Sequence, residues 1–178
     1  FLAVGSKAAG FVLLIRLLYT GFLGAHQIWA PLVLWTAAIT LLYGNLGALF
    51  QHNLKRLLGY SSIAHAGYLL LGVAALNSLG VAALLFYLVQ YSFTVMCAFL
   101  AIVALGRATG GEDLDSCAGL HRRSPLLAAA LVISMLSLAG LPPLGGFFGK
   151  LLLLLGIFER VEGFNSYMVV AILASVGV

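Results

Sequence analysis

The sequence predicts an all-α membrane protein, a polytopic bundle of transmembrane helices in which one helix is discontinuous. Hydrophobic residues make up 63% of the 178 residues and charged residues only 8%, whereas soluble domains carry about 25% charged residues. The apolar runs are continuous rather than alternating, which is typical of membrane helices and not of barrel strands. One run contains Pro142 and Pro143, and consecutive prolines interrupt a helix because they remove two backbone donors.

Apolar runs of about 20 residues, the length that crosses the hydrocarbon core of a bilayer, define the elements of a single transmembrane domain. Pro31 is expected in the first turn of the second helix, where proline is tolerated, after a turn at 21–30. Because the chain opens on FLAVGSKAAGF and ends inside an apolar run, we expect an internal piece of a longer polypeptide. We predict helices over residues 1–19, 31–50, 57–76, 79–105 and 125–158 (broken near 140–146), and the start of another over 167–178.

The charged loops predict the orientation of these helices. One side of the membrane carries nearly all the loop cations: Lys55, Arg56, Arg107, Arg122 and Arg123. The opposite side carries Arg160, offset by Glu159 and Glu162. The positive-inside rule makes the side with the five cations cytoplasmic and places the amino end of the first helix there. The net charge of +4 is spread over short loops, so it does not indicate nucleic-acid binding.

Cysteine usage predicts no redox centre and no metal site in this chain. The two cysteines are Cys97, in an apolar run, and Cys117, in a loop, and no C-x-x-C motif occurs. Iron–sulfur clusters and structural zinc sites are held by closely spaced cysteines and histidines. We therefore expect no cofactor to be bound by this chain itself.

Lys150, just beyond the proline break, is the strongest candidate for chemistry. A charged side chain at membrane depth costs between about 3 and more than about 10 kcal/mol, so it usually lies where water or a partner offsets that cost. The break at Pro142, Pro143, Gly145 and Gly146 leaves backbone polar groups that are tolerated only against protein or water. A desolvated lysine, unlike arginine, can lose and regain its proton. We predict a proton-transfer site here.

Lys7 lies inside the first predicted helix, among small residues that permit close helix packing or a water-filled pocket. It is a second candidate for proton transfer. The alternative is that its long side chain reaches back to the cytoplasmic interface. Arg16, near the other end of the same helix, is expected to reach the opposite interface in this way.

The third helix offers His65 as a titratable group. Ser61, His65 and Tyr68 are spaced i, i+4 and i+7 and share one face, beside Ser62. An imidazole flanked by hydroxyls can relay protons, although a neutral histidine bonded to a neighbouring helix remains the alternative. The other histidines, His26, His52 and His121, are expected in solvated loops. The fourth helix carries a polar face that packs against neighbours or lines the path at best: Tyr87, Gln90, Tyr91 and Thr94.

Three segments together resemble the antiporter-like membrane subunits of respiratory complex I. They are GSKAAGFVLLIRLLY at 5–19, NLKRLLGYSSIAHAGYLLLG at 53–72 and SMLSLAGLPPLGGFFGK at 134–150. Their order and spacing also match, so the resemblance covers nearly the whole chain. Asn53 and His65 favour the branch that contains subunit N of bacterial NADH–quinone oxidoreductase. The family has two inverted five-helix repeats, each with a broken helix, and the resemblance implies that this chain holds roughly the eighth to the thirteenth helices.

The resemblance also implies a function and a setting. Lys7 matches the family's central lysine, His65 a linking residue, and Lys150 the lysine on the broken helix of the second half-channel. The chain would belong to a proton-pumping translocase in the bacterial inner membrane, rather than a mitochondrial or thylakoid membrane. FMN, iron–sulfur clusters and the quinone site are expected in partner subunits. The implied partners are other membrane-arm subunits, sister antiporter-like subunits among them, with lipid, protons and water, and no nucleic acid.

Two other functions stay open at this point. One is a subunit of a multi-subunit sodium/proton antiporter, which shares the fold but has no redox partner. The other is a structural subunit that fills the membrane arm without conducting protons. In that case the lysines at membrane depth would tolerate neutral side chains of similar volume.

Overall fold

The structure, a computed structural model, describes residues 4–159. A π-helical turn (Leu17–Gly21) and a 3-10 turn (Leu23–Ala25) join the first two helices, and a second 3-10 turn (Leu114–Cys117) follows the fourth. The helix predicted at 167–178, with Arg160 and Glu162, lies outside the described residues. The α-helices of the described part are α1 (Gly5–Arg16), α2 (His26–Leu49), α3 (Leu54–Ala74), α4 (Ser78–Thr109), α5 (Leu120–Arg123), α6 (Pro125–Ala139) and α7 (Gly145–Phe158).

Helix α3 lies at the centre of the bundle. It packs against α2, α4 and α7, while α4 also packs against α6 and α7. The most apolar stretch of α3 is 56% buried, compared with 28% for the stretch that contains α2 and 39% for α4. Both halves of the broken segment therefore rest on α4, and any side chain on the inner face of α3 lies in the middle of the domain.

Glycines let α2 and α3 approach closely. Gly44 of α2 lies against the backbone of Ala64, and a Cβ at that position would overlap it. Gly67 of α3 lies against Leu41 and the carbonyl of Ala37, which would be 3.1 Å from an added Cβ. Small residues at a helix contact are typical of membrane bundles, where backbones pack against each other directly. The α2–α3 pair is thus a closely packed support for the polar face of α3.

Within residues 4–159, three helical stretches are long and apolar enough to cross a membrane: Leu23–Leu49, Leu54–Ala74 and Ser78–Ala108. Helices α6 and α7 have 15 and 14 residues, shorter than the span of about 20 that a bilayer needs, and together they form one interrupted segment. No β-strand occurs within residues 4–159, apart from an isolated bridge between Asn53 and Asp113. The predicted all-α, multi-pass membrane architecture with one discontinuous helix is confirmed.

The loop after α4 is fastened to the start of α3. The Leu54 amide donates a hydrogen bond to the Glu112 carbonyl, and the Leu114 amide donates one to the His52 carbonyl, each at 3.0 Å. Lys55 adds an ion pair with Glu112. The two loops that were predicted to lie on the cytoplasmic side therefore meet at one end of the bundle.

At the opposite end of the bundle, Asn77, which precedes α4, forms hydrogen bonds with both α7 and α4. Its side-chain amide donates to the Gly156 carbonyl at 2.8 Å and to the Glu159 carboxylate at 3.1 Å. Its oxygen accepts the Gly80 amide at 2.7 Å and caps α4. This contact ties the end of α7 to the start of α4.

Helix α2 begins earlier than the sequence predicted. The turn expected at 21–30 is helical from His26 onward, so Pro31 lies inside the helix rather than in its first turn. Contacts with the preceding chain explain the early start: His26 Nδ1 lies 2.9 Å from the Leu23 carbonyl, and the Trp29 indole donates to the Phe22 carbonyl at 2.9 Å. His26 is accordingly a helix residue and not a loop residue, and His121 likewise lies in the short helix α5.

Other helix ends also differ from the predicted ones. Helix α3 begins at Leu54 rather than 57, because the Asn53 side chain accepts the amides of Lys55 and Arg56 and so caps the helix. Helix α4 continues to Thr109 rather than 105 and ends at Gly110, whose φ of 75° is one that glycine adopts without steric cost. The first helix changes to a π-helical turn after Arg16.

The break in the long apolar segment is shorter than expected. Helix α6 ends at Ala139, followed by Gly140 at φ 89°, and α7 begins at Gly145. The Pro142–Pro143 peptide bond is cis. Gly145 and Gly146, which were expected within the break, lie in the first turn of α7. Gly146 is placed against the Ser137 carbonyl of α6, where a side chain would not fit.

Candidate functional site

Lys7 reaches from α1 across to α3. Its Nζ donates hydrogen bonds to both the backbone carbonyl and the hydroxyl of Ser62, each at 2.6 Å. The same ammonium lies 5.1 Å from the centre of the Tyr91 ring on α4. The half-buried Lys7 is therefore directed into the bundle, whereas Arg16 on the same helix is exposed.

His65 is enclosed by three tyrosines, Tyr68, Tyr87 and Tyr91. The imidazole is 3% exposed and each tyrosine 1%. His65 Nδ1 and the Tyr87 hydroxyl share a hydrogen bond of 2.5 Å. The ring centres of Tyr91, Tyr87 and Tyr68 lie 5.0, 5.9 and 6.2 Å from that of His65. Helices α3 and α4 thus place one titratable group in an aromatic enclosure.

Lys150 of α7 is buried, with 5% of its surface exposed. Its Nζ donates to the Ala139 carbonyl at 3.0 Å and lies 4.9 Å from the centre of the Tyr68 ring. Ala139 is the last residue of α6, so its carbonyl is one of those that the helix leaves without an internal partner. A helix carboxyl end also favours a nearby cation. The break therefore supplies the acceptor for the lysine beyond it.

The three titratable side chains form a row through the bundle. Tyr91 stands between Lys7 and His65, and Tyr68 stands between His65 and Lys150. Residues from α1, α3 and α7 that are far apart in the sequence are thus brought close together, with a tyrosine ring between each pair.

A cavity of about 440 Å³ leads from this row toward the end of the bundle that carries the cationic loops. Its inner wall includes Ser61, His65 and Lys150, and its outer part is formed by Gln51 and Leu114. One water molecule occupies roughly 30 Å³ in the liquid, so the cavity has room for a chain of several waters. Lys150 and His65 therefore line a cavity that also includes residues of the loops predicted to be cytoplasmic.

Gln90 and Thr94, the other predicted lining residues of α4, make their hydrogen bonds away from His65. The Gln90 side chain donates to the Ser137 hydroxyl at 2.9 Å and to the Thr94 hydroxyl at 2.8 Å. The bond to Ser137 holds α4 to the end of α6 beside the break, whereas the bond to Thr94 lies within α4. Of the predicted α4 residues, Tyr87 and Tyr91 thus lie at His65, Gln90 contacts α6, and Thr94 bonds Gln90.

Sequence reasoning missed two elements of this site. Ser134 and Ser137 are buried on α6, and their spacing of three within an apolar run would have placed them on one helix face. The Ala139 carbonyl could not be anticipated from side-chain patterns, because it is a backbone group exposed by the helix end.

The described part of the chain offers no metal centre. No group of three or more His, Cys, Asp or Glu side chains comes together within residues 4–159. Cys97 and Cys117 are free thiols, and burial raises the pKa of the Cys117 thiol.

The family described as "NADH:quinone oxidoreductase/Mrp antiporter, TM" matches residues 1–176. The chain belongs to this family. The NADH-quinone oxidoreductase subunit N of Moorella thermoacetica is 47% identical over 160 residues, which cover 90% of this chain and 34% of that protein. The subunit N of Chlorobium chlorochromatii is 42% identical over 184 residues, covering 99% of this chain and 36% of its own length. The chain spans about a third of the length of the curated relatives that it matches.

Solved structures with this fold come from membrane complexes. A chain of the Mrp complex from Dietzia sp. superposes with a TM-score of 0.79 at 28% identity, covering 96% of this chain and 32% of that one. A chain of respiratory complex I from Thermus thermophilus superposes with a TM-score of 0.66 at 37% identity, covering 83% and 33%. The antiporter-like fold that the sequence resemblance implied is confirmed.

Proposed function

We propose that this chain is part of a proton-translocating membrane-arm subunit of an NADH–quinone oxidoreductase of the complex I type. In this proposal Lys7, His65 and Lys150 carry protons. The observation that supports it best is the row of these three groups inside an apolar bundle, with a cavity that joins Lys150 and His65 to one end. Holding two lysines at membrane depth is costly, and proton transfer gives that cost a function.

Protons enter from the cytoplasmic end through waters in the cavity and reach Lys150 or His65. His65 lies between the lysines, so a change in the charge of one lysine alters the energy of a proton on His65 and, through it, on the other lysine. Redox chemistry in partner subunits, which hold FMN, iron–sulfur clusters and the quinone site, drives these changes. The complex lies in the bacterial inner membrane, where this chain contacts lipid, other membrane-arm subunits and sister antiporter-like subunits.

The test is substitution of each lysine in the assembled complex. Lys7→Met and Lys150→Met keep most of the packing volume but remove the charge. We expect each to lower both proton pumping and the coupled reduction of quinone in sealed vesicles. Arg16→Met removes an exposed cation from the same helix as Lys7 and should leave both rates unchanged. Full pumping by an assembled Lys150→Met complex would refute the role of Lys150, and the same holds for Lys7.

A second candidate function is a subunit of a multi-subunit sodium/proton antiporter. The higher TM-score of the Mrp chain, 0.79 compared with 0.66 for the complex I chain, favours it. The two functions differ in their partners. Purification of the intact complex with flavin and iron–sulfur absorbance supports the oxidoreductase, whereas a complex without these chromophores that exchanges sodium for protons supports the antiporter.

A further inference from the structure

The two lysines are held in the same way on either side of His65. Each ammonium donates to one backbone carbonyl, Ser62 O at 2.6 Å for Lys7 and Ala139 O at 3.0 Å for Lys150. Each ammonium also lies over the face of one tyrosine ring, at 5.1 Å from the centre of Tyr91 and 4.9 Å from that of Tyr68. These distances are within the range of a cation–π interaction.

Within residues 4–159 neither lysine has a carboxylate partner in the bundle. The acidic residues of this range all lie in loops: Glu112, Asp113, Asp115 and Glu159. The ion pair that the described structure contains joins Lys55 to Glu112 at the bundle end. The positive charge of Lys7 or Lys150 is therefore offset by carbonyl oxygens, by the Ser62 hydroxyl in the case of Lys7, and by the negative faces of the aromatic rings. Such ring contacts are strongest where water is excluded.

Tyr91 contacts its neighbours through its ring and not through its hydroxyl. Tyr91 is 1% exposed, and its hydroxyl makes no hydrogen bond within the described structure. An unpaired buried hydroxyl is unfavourable by itself. The contacts that Tyr91 does make with the row come from its ring, which faces both the Lys7 ammonium and the His65 ring.

We propose that Tyr91 and Tyr68 are positioning residues that hold the protonated forms of Lys7 and Lys150 through their ring faces. This inference rests on the proposed function and identifies which groups stabilise each charged state. The attraction of a ring face is present for an ammonium and absent for a neutral amine. Each tyrosine also contacts His65. When either lysine loses its proton, its neutral amine is therefore no longer attracted to a ring that also contacts His65.

The experiment replaces the tyrosine by phenylalanine and then by mono-, di- and trifluorophenylalanine in the full-length subunit of the assembled complex. Fluorine withdraws electron density from the ring face with little change in size, so folding and assembly are preserved. At position 91, and separately at position 68, the phenylalanine complex keeps the ring face and is the reference for the fluorinated series. Pumping should fall stepwise with each fluorine, to about three-fold to ten-fold below the phenylalanine complex in the trifluoro complex.

Tyr43 provides the matched control, because it lies in the apolar helix α2, is 60% exposed and has no lysine of residues 4–159 over its ring. The same series at position 43 should leave pumping unchanged. Equal pumping across the series at positions 91 and 68 would overturn the inference. A full loss already in the phenylalanine complex would also overturn it, because the hydroxyl would then be the functional group. Either result leaves the proposed function standing, which fails only if Lys7→Met and Lys150→Met both pump normally.

Discussion

At the scale of single residues, His65 depends on a partner that its own helix does not supply. The sequence indicated a relay along one face of α3 through Ser61, His65 and Tyr68. In the structure His65 Nδ1 instead bonds the Tyr87 hydroxyl of α4 at 2.5 Å. This bond engages one ring nitrogen, and in the proposed relay the other, Nε2, would exchange the proton. The partner could not be read from the sequence, because it depends on the relative rotation of two packed helices.

Tyr87→Phe tests this bond without removing the ring. The change leaves a buried imidazole nitrogen unpaired, which costs about 1–3 kcal/mol, and it frees the orientation of His65. We expect slower proton pumping in sealed vesicles and a lower unfolding temperature of the purified complex. Tyr60→Phe, at a tyrosine of α3 whose ring contacts Tyr43 rather than His65, is the control and should behave as wild type. An unchanged pumping rate for Tyr87→Phe would show that the hydroxyl has no part in the relay.

At the scale of elements, the break and the glycines that surround it set the position of α7 on α4. Pro142 and Pro143 were sufficient to predict a discontinuity from the sequence, because proline acts through local sterics. The exact start of α7 and the earlier start of α2 were not predictable. They depend on contacts between segments, such as the placement of Gly146 against the Ser137 carbonyl and of the Trp29 indole on the Phe22 carbonyl.

Gly149→Ala tests the contact between α7 and α4. A Cβ at Gly149 would overlap the Tyr87 ring, and overpacking of this kind costs about 1–3 kcal/mol. The gain of about 1 kcal/mol from replacing a helical glycine offsets only part of this, so we expect a lower unfolding temperature. Gly59→Ala has the same helix gain and no atom within 4 Å of the added Cβ, and should be neutral or stabilising. Equal behaviour of the two variants would contradict the close α4–α7 contact.

At the scale of the whole molecule, the sequence allowed candidate residues to be selected but did not predict how they lie relative to one another. Lys7, His65 and Lys150 were selected because charges and imidazoles are rare in apolar helices. Their order in space, with a tyrosine between each pair, follows from the packing of four helices and has no signature in local spacing. The orientation of the helices in the membrane could be predicted from the sequence, because that prediction uses the loop charges alone. The contact of Lys55 with Glu112 agrees with it by placing both loops at one end.

The cavity makes the orientation testable in the complete protein. Ser61 lines the cavity that opens toward the Lys55 end, so a cysteine there is reached by water from one side of the membrane. In a complex with Cys97 and Cys117 replaced by serine, Ser61→Cys should react with a charged, impermeant thiol reagent in vesicles that expose the cytoplasmic side. It should stay unmodified in vesicles of the opposite orientation, because the tightly packed row of rings closes the other end of the route.

Ile133 lies on the outer face of α6 and is 54% exposed. A cysteine at this position is the matched control, because it is exposed to lipid rather than to water. A thiol in hydrocarbon stays protonated and does not meet a charged reagent, so Ile133→Cys should remain unmodified in both vesicle orientations. Modification of Ser61→Cys only from the side of Asn77 and Glu159 would reverse the predicted topology. Modification from both sides would mean that the row of Lys7, His65 and Lys150 does not separate two compartments, and a proton pump requires that separation.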